Sequence, residues 1–304
     1  MKYVVFLLIS FIFLFSQDEM FTPIPTSVEY NKNKMELGKK LFFDPILSKD
    51  DTISCASCHD ISSGGDDGKK ISTGIDGKLG RFNAPTILNA RFNFVQFWDG
   101  RSKDLFEQSI HPIINDFEMG SEDIPALIEK LKHSKYNVKF KTLYKDGVTQ
   151  HNLQEVLAEY GSSLITPNSR FDKYLKGDSA ALRHDEVEGL ELFKEIGCSI
   201  CHHGVNLGGN LYARFGVLGR AYTKELGKYN VTKDEKDKYV FKVPSLRNIE
   251  LTSPYFHDGR FKTLYEAIEF MAKYQLGKEL DKKNVQKIEA FLKTLTGEVP
   301  KYAY

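Results

Sequence analysis

The chain opens on an almost unbroken apolar run from Tyr3 to Phe15, interrupted only by Ser10. Beyond it the clearest periodicity is helical. Val187, Leu190, Phe193 and Ile196 recur a turn apart within residues 185–196, which predicts an amphipathic helix stopped by Gly197. Val285, Ile288, Leu292 and Leu295 repeat the pattern near the C-terminus, with Gly297 as the expected terminator. Leu264, Ile268 and Met271 share a third face, entered through Thr263 and Glu266 at capping-box spacing. The fold class expected is mainly α.

The opening run follows Lys2 and spans thirteen residues, too few to cross a bilayer as a helix. A small residue, Ser16, and the acidic Asp18 and Glu19 come next, which is the layout of a secretory signal over residues 1–16. A run apolar all round leaves no solvent face, so a buried N-terminal helix fits less well. No cysteine stands there to carry a lipid anchor, and the absence of an A-x-A site leaves an uncleaved anchor open. The expected location is the periplasm.

Composition adds limits. With 41% hydrophobic and 27% charged residues, a chain of 304 residues can bury a sizeable core. Its 42 basic and 41 acidic residues leave a net charge of +1, with no electrostatic footprint for nucleic acid or an anionic membrane.

Four cysteines in an exported chain first suggest two disulfides. Their spacing points elsewhere. Cys55-Ala-Ser-Cys58-His59 and Cys198-Ser-Ile-Cys201-His202 are both C-x-x-C-H, and together they use every cysteine. In c-type haem attachment two thiols bond to the macrocycle and the adjacent histidine ligates iron. A thioredoxin-like pair explains one motif but not the repeated histidine, and a zinc site needs a second ligand pair that neither motif has nearby, His203 apart. The cofactor expectation is two covalently bound haem c groups.

The chain also repeats itself. Pro85-Thr-Ile-Leu-Asn89 matches Pro244-Ser-Leu-Arg-Asn248 at an offset of 159, and Phe97-Trp-Asp-Gly-Arg101 matches Phe256-His-Asp-Gly-Arg260 at the same offset. The two C-x-x-C-H motifs are 143 apart, so the second half carries a 16-residue insertion after its motif. Two cytochrome c-like haem domains related by internal duplication are expected, over 17–160 and 161–304, with the boundary near Gly161. The copies differ at one telling position. Met271 can close a haem iron with sulfur, although a core methionine is its plainer reading. Its counterpart is Pro112, which cannot ligate and breaks a helix. One closed iron and one open iron follow.

Taken together these motifs resemble the bacterial di-haem cytochrome c peroxidases, from Leu37-Gly-Lys-Lys-Leu-Phe-Phe-Asp-Pro45 to Phe291-Leu-Lys-Thr-Leu-Thr-Gly297. The most specific segments are Arg-Phe-Asn-Ala-Pro-Thr from 81, Gln-Phe-Trp-Asp-Gly-Arg from 96 and Leu-Thr-Ser-Pro-Tyr-Phe-His-Asp-Gly from 251. The resemblance implies that Cys55, Cys58 and His59 hold a low-potential peroxidatic haem, and that Cys198, Cys201, His202 and Met271 hold a high-potential electron-entry haem. It implies Trp98 between the haems and Gln108 with Glu118 lining the peroxide pocket. It also implies a calcium ion bound by Asn83, Thr252 and Pro254, two of them through backbone carbonyls. The implied substrate is hydrogen peroxide and the implied donor a small cytochrome c or cupredoxin; a homodimer is compatible with this reading.

One position departs from the family. Where many members carry a histidine that ligates the resting peroxidatic haem, this chain has Ile75, and no histidine lies between His59 and His111. His111 is the remaining candidate replacement; His133, His151, His184 and His203 are expected to face solvent or make ordinary hydrogen bonds. Two other classes stay in view. Related methylamine-utilisation oxidases place tyrosine where Met271 stands, and a non-enzymatic electron-transfer or sensor protein would want both irons closed.

Overall fold

The computed structural model describes residues 20–219 and 223–304, so the proposed signal at 1–16 lies outside the described residues. Helices dominate: α1 (Lys32–Phe43), α2 (Leu105–Gln108), α3 (His111–Ile114), α4 (Ile124–Lys132), α5 (Asn137–Leu143), α6 (Gln150–Ser163), α7 (Arg170–Leu175), α8 (His184–Glu195), α9 (Tyr229–Thr232), α10 (Leu264–Phe270) and α11 (Lys282–Lys293). The one sheet among the described residues pairs β1 (Tyr212–Arg214) with β2 (Val240–Lys242), antiparallel, with Ala213 opposite Phe241. Both strands lie between the second C-x-x-C-H motif and the point where the two halves come back into register.

Two helix pairs organise the core. In the first half α1 packs on α6, and in the second α8 packs on α11. Each pair approaches closely at a glycine. A Cβ on Gly38 would sit 1.8 Å from the Val156 carbonyl oxygen, and one on Gly189 would sit 2.0 Å from that of Lys287. The same device sets both crossings. Leu41, Leu131, Phe140, Leu153 and Val156 fill the first core, and Phe171, Phe193, Val285, Phe291 and Leu295 the second.

Backbone details recur at the spacing of 159. Asn89 and Asn248 are left-handed at φ 61° and 60°, and Phe97 and Phe256 at 67° and 72°. The bridge between Gln96 and Ser102 has its counterpart between Tyr255 and Phe261, each closed by a 2.7 Å N–H···O bond.

The chain ends cross over between the halves. Near the start, Ile24 donates its N–H to Asp172, and the Arg247 guanidinium donates to the Thr22 carbonyl. At the finish, the Tyr160 hydroxyl donates to the Ala303 carbonyl and Lys39 donates to that of Tyr302. Arg247 and Asp172 form a 2.7 Å ion pair that is almost fully buried, 1% and 0% exposed. Further bonds to Val205 and Ser169 satisfy the rest of the guanidinium. Arg247→Met is therefore expected to cost about 3–5 kcal/mol of stability, because Asp172 is left as an uncompensated buried charge. Denaturant unfolding checks this; a loss under about 1 kcal/mol would show that Asp172 finds another partner.

Sequence expectations fare well locally. The predicted helix at 185–196 is α8, and Gly197 stops it at φ 101°. Thr263 and Glu266 form the capping box of α10. Pro112 interrupts the first-half counterpart, which splits into α2 and α3. Gly297 is a correction: α11 ends at Lys293 with Thr294 as its cap. The glycine instead lies against the Thr166 carbonyl, 2.0 Å from where a Cβ would be, so close approach explains it. Gly161 falls in the last turn of α6, and extended chain follows from Leu164.

Candidate haem-binding sites

Both C-x-x-C-H segments enter as a single 3-10 turn, Cys55–Ser57 and Cys198–Ile200, and all four thiols are free. Burial pushes the thiols up, to about 12 for Cys55, about 11 for Cys58 and about 12 for Cys198. That is the reverse of an activated redox pair, whose thiolate must be stabilised. The histidines are set alike. His59 Nδ1 is 2.9 Å from the Gly65 carbonyl oxygen, and His202 Nδ1 is 3.1 Å from that of Leu207. A carbonyl only accepts, so each Nδ1 carries the proton and each Nε2 is free to ligate. Burial also holds both imidazoles neutral, lowering His202 to about 4.

Around the second motif lies a cavity of about 220 Å³. Cys198, Cys201, His202 and Met271 all face it, with apolar walls from Phe193, Phe215 and Ile268. Met271 opens a π-helical turn, Met271–Gln275, directly after α10. Such turns often mark functional positions, since they re-aim one side chain. The Gln275 amide ties the turn to β1, accepting from Gly216 and donating to the Arg214 carbonyl. The residues present fit a haem held by two thiols, one nitrogen and one sulfur.

Trp98 lines the same cavity from the first half. Its indole N–H donates to the Asn83 carbonyl at 2.9 Å, and its ring meets His257 edge-on with centroids 6.2 Å apart. His257, the Trp98 counterpart in the repeat, is buried, stacks on Phe241 at 4.3 Å and pairs with the Thr223 hydroxyl.

Beside the first motif stands Glu118. Burial raises its carboxyl, while Arg101 and a 2.7 Å hydrogen bond from Asn115 pull the other way. Its charge in turn helps raise Cys55 and Cys58, so the carboxyl and the thiols share one site. The carbonyl of Glu118 accepts from the Ile75 N–H at 2.8 Å. Asp67 also acts on Cys58 and His59, and one of its oxygens is buried without a partner. Gln108 ends α2, half-buried, its side chain making no hydrogen bond among the described residues. His111 lies edge-on to Phe97 at 5.7 Å, among Asp99, Arg101 and Glu107.

Asn83, Thr252 and Pro254 come together along the second cavity. Asn83 donates through Nδ2 to the Lys69 carbonyl at 2.8 Å, and its Oδ1 accepts no hydrogen bond among the described residues. The Thr252 and Pro254 carbonyls accept no hydrogen bond among the described residues. Three unengaged oxygens fit a calcium ion's demand for oxygen ligands.

Sequence reading missed Arg101, Asp67 and Lys242. Arg101 had a signal, since its counterpart Arg260 ends the same Phe-x-Asp-Gly-Arg motif. Lys242 had a weaker one: a lysine inside the apolar stretch Val240–Val243.

A sequence model of the family described as di-haem cytochrome c peroxidase matches residues 32–180. A cytochrome c551 peroxidase of Nitrosomonas europaea is 48% identical over 94% of this chain and 86% of its own. The cytochrome c551 peroxidase of Pseudomonas aeruginosa is 42% identical over 94% of this chain and 86% of its own. Among solved structures, a MauG-like protein associated with microbial copper homeostasis superposes with a TM-score of 0.81 at 26% identity, over 93% of this chain and 95% of that one.

Proposed function

The chain belongs to the di-haem cytochrome c peroxidase family, and from that premise we propose how its two C-x-x-C-H sites divide the work. The reaction is the reduction of hydrogen peroxide by two electrons and two protons to two waters. Cys55 and Cys58 would bind one haem c through thioethers with His59 as its ligand. Cys198 and Cys201 would bind the other, closed by His202 and Met271. When bound, the groups supply the iron that accepts electrons and reduces peroxide.

The residues of the chain do the rest. Glu118, with its raised affinity for a proton, would carry a proton from one peroxide oxygen to the other, so that the O–O bond can break with water as the leaving group. Gln108 orients the peroxide, and Asn115 holds the carboxyl in place. Trp98, against the second cavity, is the bridge for electrons. Asn83, Thr252 and Pro254 hold calcium where the two halves meet. The donor is a small cytochrome c or cupredoxin, export to the periplasm rests on residues 1–16, and a homodimer is compatible with this arrangement. The matched dihedrals, bridges and glycine contacts support two haem domains, 17–160 and 161–304, descended from one unit.

One observation carries the reading: a sulfur ligand faces the second cavity while Pro112 occupies its counterpart. Haem quantitation tests it. Two haems per chain resistant to acid-acetone are expected; one haem, or an extractable one, would end the di-haem assignment. Met271→Leu should then lower the potential of the second haem and slow electron entry, on a scale set by axial ligands that span roughly 0.8 V across haem proteins. An unchanged redox titration would return Met271 to packing.

A further inference from the structure

Lys242 ends β2 and is 5% exposed. Its ammonium has no ion pair or hydrogen bond among the described residues, and burial pulls it down to about 8. An unpartnered buried cation is costly and calls for a counter-charge. Lys242 is among the residues that line the cavity of Cys198, Cys201 and His202. No aspartate or glutamate among the described residues lines that cavity. Arg214, the other lysine or arginine lining it among the described residues, already donates to the Lys236 and Lys238 carbonyls. An occupant that carries its own negative charge would satisfy the lysine in its charged form. The backbone fixes the lysine firmly: its N–H donates to the Trp98 carbonyl at 2.8 Å, and its strand partner is Tyr212.

We propose that Lys242 is the counter-ion of a propionate of the second haem, and that its charge holds that haem at high potential. The inference rests on the two-haem reading. A positive charge beside the macrocycle disfavours the oxidised iron, whose charge is higher by one, and so favours the reduced state. Because the same residue is bonded to the Trp98 backbone, it fixes the cofactor edge relative to the indole that receives the electron.

The test is Lys242→Met beside Lys242→Arg, in the holoprotein. Haems are counted first: a wild-type protein with one haem fails the underlying reading, not this one. In Lys242→Met with both haems, the reduced-to-oxidised ratio of the second haem at fixed potential should fall at least about tenfold, ~59 mV for one electron. Lys242→Arg should stay within about threefold of wild type. A fully loaded Lys242→Met with unchanged potential overturns the proposal. Should Lys242→Met fail to load haem, the wild type decides. In fully reduced, carbon monoxide-treated protein labelled with ¹⁵N-lysine, an ammonium with cross-relaxation to the propionate methylenes is expected. A neutral amine without it overturns the proposal equally.

Discussion

Glu118→Gln is expected to cut peroxide turnover by roughly 10²–10⁴, the range a positioned acid–base group supplies, while leaving the haem spectra nearly intact. The substitution keeps the shape and the hydrogen-bonding capacity toward Asn115 and removes only the exchangeable proton. The carboxyl is suited to the task because burial raises its proton affinity, with Arg101 and the Asn115 hydrogen bond opposing that rise. Its backbone is anchored on both sides: the N–H donates to the Asn115 carbonyl and the carbonyl accepts from Ile75. Loss of activity should therefore reflect chemistry rather than collapse of the turn. Steady-state turnover with a saturating donor measures it. Activity within about threefold of wild type would remove Glu118 from the mechanism.

Fully oxidised protein should react with peroxide at once, without prior reduction of the second haem. Ile75 has no atom able to ligate iron. It is 3% exposed, its side chain lies near Gly120 and its N–H is spent on Glu118. The preceding Gly74 presses against the same turn, where a Cβ would stand 2.1 Å from the Phe117 carbonyl oxygen. The loop is thus already docked on the segment that carries Glu118. Stopped-flow mixing should give a rapid spectral change, and paramagnetic resonance a high-spin or weakly ligated first haem. Silence until one electron is added, with both haems low-spin, would identify a closing ligand such as His111. As a converse, Ile75→His should introduce a dependence on prior reduction.

How far the sequence reached can be seen at particular residues. The helix at 185–196, the capping box at Thr263 and the break at Pro112 were legible because capping, periodicity and proline act within a few residues. Gly297 misled because a terminating glycine and a glycine under another backbone look alike in one dimension. The haem motifs were legible because their chemistry fixes residue type and spacing together. The charges that tune those sites were not. Arg101 acts on Glu118 from seventeen positions away in the chain, and Asp67 on Cys58 across a loop, contacts that no local pattern encodes.

By itself, then, the amino-acid order placed two C-x-x-C-H motifs 143 residues apart, repeated two segments at a spacing of 159, and set Met271 against Pro112 at that same spacing. These are matters of identity and interval, and chain connectivity enforces them. Tertiary structure alone decided which imidazole nitrogen is free, since the carbonyls of Gly65 and Leu207 choose the tautomer. It alone aimed Met271 into the cavity through a π-helical turn held by Gln275. It alone buried Lys242 away from any ion pair among the described residues and bound Arg247 to Asp172. Desolvation and long-range charge depend on what surrounds a group in space, and that environment exists only once the two halves have closed on each other.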